Sequence, residues 1–209
     1  HRRAERLELV ARLLRAMAAQ GNAAAEVERR ETVGADEFYD RYYGASRPVV
    51  LTRILDGWPA LSWTPEMLAE RFGDVEIDIL AGRGEAPEHD HDFQRHRATV
   101  TMAEYVRRVR AAGLTNDLYL VANNRVLEKP ELAPLLAELT PPADIFDPES
   151  IAGRASLWFG PGGTCTPLHH DPTTILIRQL HGRKRIVLVS PLETSLMDDV
   201  DGFDVGRRS

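Results

Sequence analysis

From Ala155 onward the chain is cut by glycine at short intervals, and this punctuation constrains the fold more than any other feature. Gly160-Pro161-Gly162-Gly163 reads as a tight turn, Gly182 as the next one, and between and after them lie Ile175-Leu176-Ile177-Arg178-Gln179-Leu180 and Ile186-Val187-Leu188-Val189. Short β-branched runs bounded by Gly and Pro read as strands, because branching at Cβ crowds a helix and fits a pleated surface. The 175–180 run is expected to be a largely buried strand, and Lys184 opens a third strand after the one that carries His169.

Upstream the pattern mixes helices and short strands. Leu7, Val10, Leu13, Leu14 and Met17 recur at helical spacing within Arg3–Gln20, a helix that either packs on its own domain or forms a homodimer contact. Asp36–Tyr43 reads as a short aromatic-rich helix and Val49–Thr52 as a strand. Thr64-Pro65 offers an N-cap followed by a first-turn proline, for a helix ending near Phe72-Gly73. Val75, Ile77 and Ile79 alternate with acidic residues, as in a half-buried strand. Thr101–Ala112 and Glu131–Leu139 read as helices, the latter interrupted at its start by Pro134, and Leu118–Val121 as a short strand. Residues 82–98 are polar. Their His89, His91 and His96 fit a solvated loop over a cleft better than a metal site, because no regular element fixes the ligands. The resulting organisation is an N-terminal helix (1–31), a helical and β entry region (32–150) and a β-rich part (151–209).

With 209 residues, 43% hydrophobic and 28% charged, the chain has the composition of a soluble globular domain with one sizeable core. A formal net charge of -6 argues against nucleic acid as the partner, since phosphate binding favours a basic face. No apolar run is long enough to span a bilayer, so no membrane partner is expected. A single cysteine, Cys165, cannot form an internal disulfide, and a cytoplasmic location is the expectation.

The chemistry is concentrated in Thr166-Pro167-Leu168-His169-His170-Asp171-Pro172. On a strand, residues two apart share a face, so His169 and Asp171 converge as two cis ligands of a facial triad, while His170 points away. The tripeptide alone fits a surface strand pair as simply. Lys184 has two readings as well: a solvated residue of the turn Arg183-Lys184-Arg185, or a lysine inside a barrel paired with a carboxylate, since an unpaired buried ammonium is costly.

The joint pattern resembles the JmjC-type, cupin-fold 2-oxoglutarate oxygenases, and within them the small hydroxylase branch. The resemblance rests on Trp158-Phe159-Gly160-Pro161-Gly162-Gly163-Thr164, on Thr166–Pro172, on Gly182-Arg183-Lys184-Arg185, and upstream on Arg47–Leu51, Trp58-Pro59-Ala60 and Leu118-Tyr119-Leu120. It implies a mainly β protein with a helical N-terminal part, built on a double-stranded β-helix (cupin or jelly roll). It also implies Fe(II) on His169 and Asp171, and 2-oxoglutarate as co-substrate with its distal carboxylate on Lys184, Thr166 and Tyr119. Ile175 stands where the family often has an asparagine.

No histidine follows Lys184, whereas the family's second metal histidine lies on a later strand. The expectation is therefore a barrel incomplete at the C-terminus of this chain, with a truncated site. The implied activity is hydroxylation of a protein or peptide side chain or of a small molecule, preferred over demethylation. The competing readings are a non-catalytic cupin-fold binding module that has lost its third ligand, and a cupin using another metal.

Overall fold

The computed structural model describes residues 4–5, 7–12, 26–85, 93–147, 149, 151, 153–169, 171 and 173–189. The chain divides into two compact units, one of residues 1–56, 141–147 and 184–203, the other of residues 57–140, 148–183 and 204–209. Of the expected N-terminal helix, residues 4–5 and 7–12 are helical, with Leu7 and Val10 exposed. No helix among the described residues is long and apolar enough to cross a membrane.

In the first unit β1 (Glu28–Arg30) pairs in parallel with β2 (Val49–Leu51), Glu28 opposite Val49 and Arg30 opposite Leu51. Between them α1 (Ala35–Glu37) runs into a π-helical stretch, Phe38–Tyr43, where the short aromatic helix was expected. Its rings pack on one another: Tyr39 and Tyr43 meet edge to face at 5.7 Å, and Phe38 lies 6.3 Å from Phe146. The Tyr39 hydroxyl donates to the Ile145 carbonyl at 2.9 Å, tying residues 141–147 to this helix. Strand β1 escaped the sequence reading because Glu-Arg-Arg carries no apolar signal. Its charges are paired instead, Arg30 with Glu37 at 2.7 Å and Glu28 with Arg41 at 3.1 Å.

The second unit holds the larger core. Helix α2 (Pro65–Phe72) starts as expected, with the Thr64 hydroxyl accepting the Met67 amide at 3.1 Å and Pro65 in the first turn. Strand β3 (Glu76–Leu80) pairs antiparallel with β4 (Arg97–Thr101), Ile77 opposite Val100 and Ile79 opposite Ala98. Thr101 then caps α3 (Met102–Ala111), accepting the Glu104 amide at 3.2 Å. Helix α3 packs against α2 and buries Met102, Tyr105, Val106 and Val109. A 3₁₀ turn, Pro130–Leu132, leads into α4 (Ala133–Ala137), so Pro134 sits in a first turn where its missing N–H costs nothing. Ile77, Ile79, Leu80, Leu120, Leu132 and Leu135 complete the core.

The expected strand at Leu118–Val121 is reduced to two antiparallel bridges, Leu80 with Tyr119 and Leu120 with Phe159. The Tyr105 hydroxyl reaches into this junction and donates to the Phe159 carbonyl. Burial pushes that phenol well above its ordinary value, so it is a permanent donor.

Two stability effects follow. Tyr105→Phe removes one donor from a carbonyl that still accepts the Leu120 amide, and should cost about 1 kcal/mol in urea unfolding. Tyr105→Ala should cost about 3–5 kcal/mol through the cavity. The hydrogen bonds from Arg97 and then Thr99 hold the Asp78 carboxyl below its ordinary value. Its contribution is therefore complete above the ordinary carboxylate range and is lost as pH falls through its depressed value. Asp78→Asn should flatten the acid limb of a stability-against-pH profile.

Candidate metal and co-substrate site

Tyr119 is laced to its neighbours on both edges. Its amide and carbonyl exchange hydrogen bonds with Leu80 at 2.9 and 2.8 Å, while Leu120 exchanges its own with Phe159 at 2.9 and 3.0 Å. The Tyr119 ring is buried, edge-on to Trp158 at 5.6 Å and beneath the Arg83 guanidinium at 5.2 Å. At Gly160 the chain passes so close that a Cβ would lie 2.9 Å from the Tyr119 ring. Glycine is required there for approach, not for its conformation.

The expected turn at 160–163 is pressed against residues 114–116. The Thr115 amide donates to the Gly162 carbonyl at 2.7 Å. Gly163 has φ +93°, and a Cβ on it would meet the Thr115 nitrogen at 2.9 Å. Beyond the turn, Asn116 Oδ1 accepts both the Cys165 amide at 2.8 Å and Arg83 Nη1 at 2.9 Å, and Arg83 Nη2 donates to the Cys165 carbonyl at 3.2 Å. Arg83 and Asn116 carried no motif that would have marked them. Only the Gly82-Arg83-Gly84 setting, directly after a strand, hinted at a constrained arginine.

Four residues beyond Cys165, His169 Nδ1 lies 2.8 Å from the Pro167 carbonyl oxygen. A carbonyl only accepts, so Nδ1 carries the ring proton and the lone pair resides on Nε2. His169 Nε2 lies 3.8 Å from Asp171 Oδ2, with both side chains exposed. Two cis donors each about 2.1 Å from one ion lie about 3.0 Å apart, so the pair is near one another but wider than a cis pair, and side-chain rotation would have to close it on a metal. An imidazole nitrogen oriented by a backbone carbonyl, beside a carboxylate, is a donor set suited to Fe(II). Among the described residues no group of three histidine, cysteine or acidic side chains forms.

The other expected site residues are placed as follows. Thr166 is exposed and directly follows the fastened Cys165. Lys184 is exposed and belongs to the first unit, whereas Tyr119, Thr166, His169 and Asp171 belong to the second. His170, His89 and His91 lie outside the described residues. His96 does not sit in a solvated loop: it is buried, its Nδ1 is 3.2 Å from the Ala81 carbonyl, and it closes the β3–β4 hairpin.

The expectation of a largely buried strand at 175–180 is corrected. Ile175 is 54% and Ile177 49% exposed, and Val187 in the later run is 75% exposed. Residues 173–189 form no strand, because among the described residues no neighbouring strand hydrogen-bonds to them. One side chain of the run is drawn inward: the Arg178 guanidinium lies 3.6 Å from the centre of the Trp58 ring. Burial lowers Arg178 to about 10, so it remains a cation at neutral pH, held by the face of the indole.

The cupin-like domain family matches residues 35–203, and the chain belongs to that family. Its relatives include proteins named for a JmjC domain, from Drosophila melanogaster and Dictyostelium discoideum. It is 28% identical over 176 residues to lysine-specific demethylase 8 of Xenopus tropicalis, covering 79% of this chain and 36% of that protein. It is 28% identical over 167 residues to a lysine-specific demethylase of Arabidopsis thaliana, covering 78% of this chain and 37% of that one. It is also 28% identical over 181 residues to tRNA wybutosine-synthesizing protein 5 of Danio rerio, covering 79% and 54% respectively. The chain thus spans about a third to a half of these relatives.

The turn supplies a direct test of this geometry. Gly163→Ala should destabilise the protein by more than about 1 kcal/mol, because it forces a side chain into a left-handed backbone and against Thr115. Gly153→Ala, with open space around it, should be close to neutral in the same denaturation series.

Proposed function

We propose that the protein of which this chain is part is an Fe(II)- and 2-oxoglutarate-dependent oxygenase that hydroxylates a protein or peptide side chain or a small molecule. The observation that carries the reading is the His169–Asp171 pair, with Nδ1 fastened to Pro167 and Nε2 left to face the carboxylate. When bound, Fe(II) with 2-oxoglutarate and O2 supplies the oxidising chemistry, yielding succinate and CO2 and placing one oxygen atom in a C–H bond. His169 Nε2 and the Asp171 carboxylate hold the ion. The Lys184 ammonium takes the distal carboxylate of 2-oxoglutarate in a charge-assisted contact, and the Thr166 and Tyr119 hydroxyls donate to the same group. Ile175 stands where the family often has an amide, and it adds no hydrogen bond there.

A third ligand, a histidine on a later strand facing His169, completes the site in this reading. In this reading the same strands would also cover Ile175, Ile177, Ile186 and Leu188, which are exposed. Fe(II) binds weakly among the divalent metals and needs the full ligand set to stay bound. The names of the relatives divide between lysine demethylation and tRNA modification, and the net charge of -6 favours the non-nucleic-acid side. The competing reading, a non-catalytic cupin-like binding module, draws on the two-ligand set among the described residues.

The test compares the 209-residue chain with the full-length protein for O2-dependent succinate formation and for iron content. The short chain is expected to bind iron weakly and to turn over little 2-oxoglutarate, and the full-length protein to do both. His169→Ala in the full-length protein should abolish iron retention. Lys184→Ala should raise the 2-oxoglutarate requirement by about tenfold or more while sparing the metal. An inactive full-length protein without a late histidine would favour the binding module, and unchanged 2-oxoglutarate dependence in Lys184→Ala would remove that lysine from the site.

A further inference from the structure

We infer that Arg83 and Asn116 are positioning residues for the 2-oxoglutarate end of the site, setting the distance between Thr166 and Tyr119. The inference rests on the proposed role of those two hydroxyls. Arg83 is 2% exposed and follows β3 directly, on a 3₁₀ turn (Arg83–Glu85). That turn is itself stitched down: the Arg83 amide donates to the Asp117 carbonyl at 3.4 Å and the Gly84 amide to Asp117 Oδ1 at 3.2 Å. Asp117 is held in turn by its own amide, which donates to Thr115 Oγ1 at 3.1 Å. The guanidinium therefore leaves a fixed backbone.

From there it reaches three groups at once. Nη1 donates to the Asn116 side-chain and main-chain oxygens at 2.9 and 3.3 Å, Nη2 donates to the Cys165 carbonyl at 3.2 Å, and the plane lies over the Tyr119 ring at 5.2 Å. Asn116 Oδ1 takes the Cys165 amide as well, at 2.8 Å. Both polar backbone groups of Cys165 are thus fixed, one by each residue. The Cys165 carbonyl lies in the same peptide plane as the Thr166 nitrogen, so the bond from Arg83 sets how the chain enters Thr166. The same cation lies against the second hydroxyl-bearing residue. One guanidinium, whose fork geometry a lysine cannot reproduce, links two donors that are 47 positions apart in the chain.

Two donors that must meet one carboxylate are sensitive to their spacing, and a misplacement of about 1 Å can cost about a hundredfold. A role in folding alone would lower stability without separating co-substrate from metal. The experiment uses the full-length protein loaded with Mn(II) in place of Fe(II), and measures Mn(II) and 2-oxoglutarate binding by calorimetry, with thermal melts alongside. Arg83→Met and Asn116→Ala should weaken 2-oxoglutarate binding by about tenfold or more while Mn(II) affinity changes by about threefold or less. Asn116→Asp keeps the acceptor for both donors and should recover 2-oxoglutarate binding to within about threefold of the parent.

If Arg83→Met fails to fold, the two Asn116 variants decide. Folded variants that bind 2-oxoglutarate like the parent would overturn the inference, as would equal losses in Asn116→Asp and Asn116→Ala. Losses of Mn(II) and 2-oxoglutarate in proportion would also overturn it, by reducing the pair to general packing. A parent protein that binds Mn(II) but not 2-oxoglutarate would instead defeat the proposed function and the inference with it.

Discussion

Two reciprocal backbone bridges, Leu80 with Tyr119 and Leu120 with Phe159, connect the core of the second unit to Tyr119 and to the segment that leads to Thr166, His169 and Asp171. Adjacent residues of an extended chain present their polar backbone groups to opposite edges, so this two-residue piece satisfies one neighbour with Tyr119 and the other with Leu120. It has no spare edge, and both side chains are buried. Phe159 is the first point at which the later part of the chain is fastened, and Gly162 on Thr115 and Cys165 on Asn116 and Arg83 follow it. Tyr105 reinforces it from α3, and the glycine turn at 160–163 departs from it directly. The chain enters Thr166, and beyond it His169, from these attachments together.

Much of the scaffold was legible because its signals are local. A threonine before a proline announces the start of α2, and alternation from Val75 to Ile79 announces β3, since cap and pleat are decided within a few residues. Strands β1 and β4 were not legible. Glu28–Arg30 and Arg97–Thr101 are short and polar, and they exist by pairing with Val49–Leu51 and Glu76–Leu80 respectively. His96 shows the same limit from the other side: in sequence it belongs to a polar stretch, but the hairpin closes over it and fixes its ring to Ala81.

Within the site the histidine and aspartate were visible as a spacing, but the expected strand carrying them does not form at 164–169 or at 171, so period two does not account for the 3.8 Å between them. Arg83 and Asn116 were not visible, because their roles are contacts at separations of 82 and 49 residues with a backbone segment that any side chain could occupy. The 175–189 stretch was misread for a related reason. A run of isoleucine, leucine and valine states that a surface is suited to burial, and burial itself requires a second surface. Among the described residues none is paired with it.

One residue of that stretch is nevertheless anchored. Arg178 stacks on Trp58, and Leu180, two positions on, is likewise drawn in, while Ile175, Ile177 and Gln179 are exposed. The stack fixes position 178 and not a face, because Thr174 and Leu176, which share its parity, are exposed as well. Ile175 and Ile177 are two β-branched apolar side chains, open to solvent, within eight residues of His169. In the proposed reading a covering partner would turn them into a wall of low local dielectric, which would strengthen a charge-assisted contact to a dicarboxylate without contributing a hydrogen bond of its own.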